Sequence, residues 1–470
     1  MFCDHPPDEK GPVVRQKFRF ASRFVGRRCL PVLLACLSLS FVTLAPGSLA
    51  AQEGKDEPAL DEGRRAANIS WNPKVSFEEW KTLEKRRFID FDRKLGAASF
   101  GDAEKKEFLK HLQNQINGLT LEQNVDRHAI IIDNITRAIE APGTSPAARD
   151  FLLENTVKQV ESMLKDQPAN VQYSLVLLVA RLNGKPANLT ARPPAPAQPY
   201  LEARQFLMKV LLDEAMPISS RIIAVRGLER LMRDGDISTV EKSRIGETLA
   251  LALKQKVENP LARKWYRWKL VEALGYTGRY EETGYRPVMI DALMSVLTNR
   301  QDDWEVRAAA ARAISQLPLD QKVNVELVNY ETVRLLQELC VAYNGSDKAT
   351  PSTWRWAFDT IYVAYKSPTA TDQTVKHWGL MHLNTPRGKE VISGAYKNVV
   401  LPVVKPFLES SSLPPVSPKA IEALGKWLEE NKPADRKATP QSPEIDLGVA
   451  PAPKAAQGQI PVGQAGAPGN

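Results

Sequence analysis

Cysteine and histidine are scarce in this chain, at four and five of 470 residues. Cys3, Cys29 and Cys36 fall in the first 50 residues, which leaves Cys340 alone beyond them. A lone thiol excludes an internal disulfide framework, and no Cys-x-x-Cys pair is present for zinc or redox chemistry. Cys340 stands among Leu335, Leu336, Leu339 and Val341, the setting of a small buried hydrophobe rather than an activated thiolate. His377 and His382 are five apart, which turns them to different faces of a helix, and His111 and His128 fall on separate predicted helices. The acidic doublets Glu281-Glu282 and Asp302-Asp303 read as charges flanking helices. Gly-rich phosphate loops and Gly-x-Ser-x-Gly elbows are missing as well. No catalytic residue, metal site or cofactor is therefore expected. No apolar run reaches the ~20 residues of a membrane span, which excludes a multi-span protein.

What is present begins with an address. The chain carries 63 basic and 55 acidic residues, a net +8. Seven basic side chains (Lys10, Arg15, Lys17, Arg19, Arg23, Arg27, Arg28) and three acidic ones (Asp4, Asp8, Glu9) lie within residues 1–50. An uncharged stretch follows from Cys29 to Ala51, apolar over Leu30–Leu44, broken at Pro46-Gly47 and closed by Ser48-Leu49-Ala50. That order predicts a secretory signal peptide over 1–50, cleaved after about Ala50, and an exported bacterial protein, periplasmic or extracellular. Gly26 and Pro31 depart from a twin-arginine pattern around Arg27-Arg28, and apolar sequence continues past Cys36, unlike a lipidated cysteine. Membrane association is expected only if the signal stays attached or is lipidated.

Residues 51–75 read as a flexible, polar leader. Ser76-Phe77-Glu78-Glu79 has capping-box spacing and opens a helix through about Leu95. From there to Lys366 the pattern predicts helices of 14–20 residues divided by short breaks, with no β-type alternation. Pro146, Pro168, Pro217, Pro260 and Pro351 each stand where a helix starts, where a missing N–H costs nothing. The expected pairs are 104–117 with 124–140, 146–165 with 168–182, and 199–214 with 217–233. The series continues at 238–257 with 260–274, 285–299 with 303–317, and 325–343 with 351–366. Lys185–Pro199 is too Pro-rich for a helix and reads as an extended connector or hinge. Residues 367–431 read as a helical cap, and the Pro-, Ala-, Gly- and Gln-rich 432–470 as a disordered tail.

The second helices repeat one another. Arg221 and Arg307 are each followed by Arg at +5 (Arg226, Arg312), an aliphatic at +7 (Leu228, Ile314) and Leu at +10 (Leu231, Leu317). Positions 127, 172, 221, 263, 307 and 355 mark the same slot in six units, at spacings of 42–49 residues. A helix pair at about that period is the mark of a HEAT or armadillo array. Asp303-Trp304-Glu305-Val306-Arg307-Ala308-Ala309-Ala310 resembles the second-helix signature of a HEAT repeat, Asp-x-x-Val-Arg-x-x-Ala. The Asp position holds Pro217, Asn259 or Pro351 elsewhere, so the specific likeness is confined to 303–317. The resemblance implies an all-α, right-handed α-α superhelix of about six pairs over 76–366. It also brings an enzymatic alternative, since some HEAT-like proteins are bilin lyases or accessory subunits.

Function in such an array comes from its extended surface. The densest candidate is Lys254–Lys269, where Arg263 and Arg267 share one helical face and Trp265 and Trp268 another, with Lys264 between. Basic groups interleaved with Trp can grip nucleic acid, an acidic protein or a glycan. The plainer reading packs both Trp into the array and leaves the cations solvated. The Arg221–Arg263–Arg307–Arg355 series either lines a groove or ties neighbouring repeats together, and its periodicity favours the tie. Trp354-Arg355-Trp356 allows the same two readings. The expectation is an exported, non-catalytic scaffold or adaptor that binds a protein partner, with no nucleic-acid partner, or alternatively a structural envelope component.

Overall fold

Proline and small polar residues set where the helices begin. The computed structural model describes residues 71–85, 95–96, 100–346, 351–366, 379–383, 388–410 and 413–446, all within the unit Leu60–Asn470. The predicted signal peptide, most of the leader, His377 and residues 447–470 lie outside them. The described chain is mostly helical. Helix α1 (Phe77–Lys85) precedes six pairs: α2 (Asp102–Gly118) with α3 (His128–Glu140), α4 (Pro146–Met163) with α5 (Ala169–Arg181), and α6 (Ala203–Leu212) with α7 (Ile218–Asp234). The series goes on through α8 (Thr239–Ala252) with α9 (Pro260–Leu274), α10 (Val288–Thr298) with α11 (Trp304–Gln316), and α12 (Val325–Asn344) with α13 (Pro351–Tyr365).

Local chemistry explains the starts. Ser145 Oγ accepts from Ala148 N at 3.3 Å and Asn259 Oδ1 from Ala262 N at 2.9 Å, each just ahead of a first-turn Pro. Ser238 and Glu241 close a reciprocal capping box on α8. Pro168 and Pro217 stand one residue earlier, as the N-cap residues of α5 and α7.

The pairs stack in two layers. Each first helix packs on the next first helix from α2 to α12, and each second helix on the next from α3 to α13. Between the layers runs one apolar core, represented by Leu152, Leu207, Leu249, Leu293, Leu335 and Phe358, all essentially dry. Ala308–Ala311 of α11 are buried and small, which lets α9 and α13 close in on either side.

The segment expected to be an extended connector is instead an antiparallel hairpin of β1 (Asn183–Lys185) and β2 (Gln198–Pro199). Asn188 tightens it, its Oδ1 accepting from Thr190 N and Ala191 N at 3.1 Å. Too few residues pair there to leave an alternating pattern. Helix packing runs on past the hairpin, since α4 touches α6 and α5 touches α7, so it does not split the array.

At the far end α14 (Lys389–Ala395), α15 (Leu401–Glu409) and α16 (Pro418–Glu430) cover the last pair. Phe407 stacks on Phe358 at 4.0 Å, and Asn344 exchanges two hydrogen bonds with the Val416 backbone at 2.7 and 3.0 Å. The polypeptide then returns. Lys432–Asp446, which composition assigned to the disordered tail, forms a folded strap across α10 and α12. Asn324 N donates to Ala438 O at 2.8 Å and Asn324 Nδ2 to Asp435 O at 3.1 Å, while Ala438, Thr439 and Ser442 are buried. No helix among the described residues is long and apolar enough to cross a membrane.

Candidate binding face

The periodic cations are tied into the array. Arg221 and Arg307 each send Nε back ten residues to a last-turn carbonyl of the paired helix, Leu211 O at 3.2 Å and Leu297 O at 3.0 Å. Gln172 Nε2 makes a related bond, eight residues back to Leu164 O just past the end of α4, at 3.1 Å. These bonds satisfy helix-end carbonyls that lack intrahelical donors. In α9 the sequence register gives the slot to Arg263, whereas the structure gives it to Arg267. Arg267 Nη1 donates to Leu253 O at 2.9 Å, and Nε and Nη2 grip both oxygens of Asp302 at 2.7 Å. The cause is Tyr266. Its ring lies 4.6 Å under the Arg221 guanidinium and its hydroxyl accepts from Arg221 Nη2 at 2.7 Å, so an aromatic fills the buried place. Arg355 serves the cap instead, donating to Phe407 O at 3.2 Å.

The six residues singled out as a binding surface therefore separate. Arg307 is buried, pairing with Glu338 at 2.9 Å. Lys264 reaches Glu305 at 2.5 Å and Arg267 is spent on Asp302, both across to the next pair. Arg263, Trp265 and Trp268 remain on the second-helix layer. The rings of Trp265 and Trp268 stack at 5.0 Å, and Trp268 meets Trp356 of α13 edge-to-face at 4.4 Å. Trp265 keeps 45 % of its surface in water. Lys269 Nζ lies 5.2 Å from the Trp268 ring and pairs with Glu272 at 2.6 Å.

Helix register explains this cluster. Trp265, Ala309 and Trp356 each come five residues after the first residue of α9, α11 and α13. A methyl between two indoles leaves the gap through which Trp268 and Trp356 touch. Trp354, two residues from Trp356 and so on another side of the helix, packs inward on Tyr343 at 5.6 Å. Of the Trp354-Arg355-Trp356 triplet, one ring is core and one is face. In sequence Trp356 stands out only as one member of that triplet; its distance from the helix start puts it in register with Trp265.

Next to the indoles a dimple of about 80 Å³ opens among Glu229, Glu272, Tyr276, Ala309, Arg312 and Gln316. Burial, and then the neighbouring Glu272, push the Glu229 carboxyl above the ordinary range. The face thus combines an exposed aromatic knob with a polar hollow.

The junction of the fifth and sixth pairs holds a second charge cluster, facing away from the indoles. Glu338 takes Arg300 at 3.0 Å and Arg307 at 2.9 Å, and Glu331 takes Arg334 at 3.2 Å. Burial, then Glu338, pushes the Glu331 carboxyl up to about 7. Elsewhere, His128 is buried with Nδ1 2.8 Å from Ser174 Oγ, its pKa lowered by burial. Cys340 is buried and its thiol is pushed far up by desolvation. Among the described residues no three His, Cys, Asp or Glu side chains converge as a metal ion requires. No protein-family model, curated protein or solved structure matches the chain.

Proposed function

We propose that this chain is an exported, non-catalytic scaffold or adaptor. In this reading it is a HEAT-like, right-handed α-α superhelix whose second-helix face binds a protein partner in the cell envelope. Six helix pairs in two alternating layers support the repeat reading, as does the Asp-x-x-Val-Arg-x-x-Ala run ending at Ala310. The basic, apolar and small-x-small order of residues 1–50 supports export.

One observation carries the binding reading: Trp265, stacked on Trp268, which in turn meets Trp356 edge-to-face, stands 45 % exposed in the middle of the second-helix layer. Covering that half of an indole is worth roughly 2–3 kcal/mol, and Trp is the residue type most enriched at energetic centres of protein interfaces. A polar hollow beside it supplies the charged complement that gives an interface register.

The test is comparative capture. Full-length protein with a C-terminal tag, expressed in its native host, is recovered from envelope extract beside Trp265→Ala and Leu189→Ala, the latter changing an exposed residue of the hairpin. The mature chain should begin at Ala51. One protein should co-purify with the wild type and with Leu189→Ala, and fall at least about tenfold with Trp265→Ala. Equal recovery with all three chains overturns the assignment of the face.

A further inference from the structure

At the junction of the fifth and sixth pairs the two layers are not held alike. On the second-helix side α9, α11 and α13 close up around the buried Ala308–Ala311, so side-chain packing fixes their spacing. On the first-helix side a cleft of about 560 Å³ opens along α10 and α12, with Met294, Ser295, Thr298 and Arg334 in its lining. Side chains parted by a cleft cannot interdigitate, so packing does not set the helix angle there. The strap crosses this cleft and contributes Pro443 and Ile445 to its wall.

The strap is stiff rather than slack, because it folds on itself. Ile445 N donates to Arg436 O at 2.9 Å and Thr439 N to Ser442 Oγ at 3.0 Å, closing a small hairpin with the Lys437–Glu444 bridge. It is tied to the start of α12 through Asn324, whose N and Nδ2 donate to Ala438 O and Asp435 O. The same side chain caps that helix, its Oδ1 accepting from Leu327 N at 3.1 Å. Towards α10 the Ser442 hydroxyl bears on the Asp291 carboxyl in the first turn. Ala438, Thr439 and Ser442 are buried in this seat. A rigid hairpin therefore spans two consecutive first helices beside the place where their own packing is open.

The opposite layer feels that tie. Trp268 and Trp356 touch across α11, so their contact depends on the angles between the fourth, fifth and sixth pairs. In a stack of packed pairs one layer opens when the other closes. We propose that the strap is a brace that holds the fifth and sixth pairs at one angle and thereby sets the width of the indole notch. Released, it lets α12 swing against α10 and carry α13 with it. On the reading that the indole face binds a partner, strap docking and partner binding then favour each other, because linkage is reciprocal.

Spin labels on Arg263→Cys of α9 and Ser352→Cys of α13, both exposed, measure the angle in the full chain, and the buried Cys340 takes no label. Ala438→Arg combined with Ser442→Arg puts two long cations in buried small-residue places and should free residues 435–446, read as faster hydrogen exchange there. The distance between the labels should then shift or broaden by about 3 Å or more. Gln441→Ala, at an exposed strap position, should change neither exchange nor distance. A freed strap with an unaltered distance distribution overturns the proposal. So does unchanged exchange, since a brace seated on those two residues could not survive both changes, and so does loss of the whole cooperative melt, which would make the strap part of the core. The labels need no partner: a partner that ignores Trp265 would sink the assignment of the face and leave the brace standing.

Discussion

At the scale of single residues, the most consequential group is Glu331, a carboxyl on α12 only 2 % exposed and set against Glu338 and three arginines. Its folded pKa is pushed from 4.5 up to about 7, so the folded chain holds a proton that the unfolded chain releases earlier. Stability contributed by this group is therefore full below the ordinary carboxylate pKa and falls as pH rises toward 7. The loss levels off above that, at roughly 3 kcal/mol. Urea midpoints of wild type and Glu331→Gln, measured at pH 5 and pH 8, should show the wild type losing stability across the interval and the variant losing much less of it. Side-chain roles were partly legible in the sequence. Arg221 and Arg307 follow the same local pattern because both reach the same kind of helix-end carbonyl. Arg263 misled because a shift of one helical turn keeps a residue on the same face, and only the Tyr266 ring in the next buried slot decides between it and Arg267.

Elements were legible to the extent that their ends are chemical. Pro146 and Pro260 announce helix starts by the N–H they lack and Ser238 by the hydroxyl that accepts, and the structure has helices starting beside each. The strap was not legible, because Lys432–Asp446 has the composition of a disordered tail and is held by a few hydrogen bonds and the burial of three small residues, Ala438, Thr439 and Ser442. A different local constraint fixes α1. A Cβ added at Gly118, the last residue of α2, would lie 2.3 Å from Trp80 Nε1, so only glycine lets that indole seat. Gly118→Ala should displace α1 while leaving the six pairs folded. The readouts are red-shifted Trp emission, faster hydrogen exchange over Phe77–Lys85, and an unchanged far-ultraviolet spectrum apart from that one helix. Unchanged exchange in α1 would show that the indole can be reseated.

For the whole molecule, the 42–49-residue spacing made the pairs visible, because each pair must present the same apolar stripe to its neighbours. What no spacing shows is whether packing continues through the Pro-rich break. It does: Lys209 reaches Glu161 at 2.6 Å and Arg230 donates to Ala180 O at 3.3 Å, both across the hairpin. A protease nick at the tip, where Leu189 is 79 % exposed, should therefore leave two fragments that co-elute and melt in one transition. Separation of the fragments without denaturant would mean that the first two pairs form an independent domain.

The contact between Trp268 and Trp356 joins helices of the fourth and sixth pairs, skipping the alanine-lined fifth. Two indoles 4.4 Å apart and inclined at 60° couple their electronic transitions, so the folded chain carries a built-in optical gauge. Any partner that opens the second-helix layer would separate Trp268 from Trp356 and reduce the exciton signal to what the Trp265–Trp268 stack on one helix contributes. One that closes on the layer would sharpen it. Circular dichroism of the unlabelled protein can then register curvature, and the indoles that make this face adhesive also report its bending.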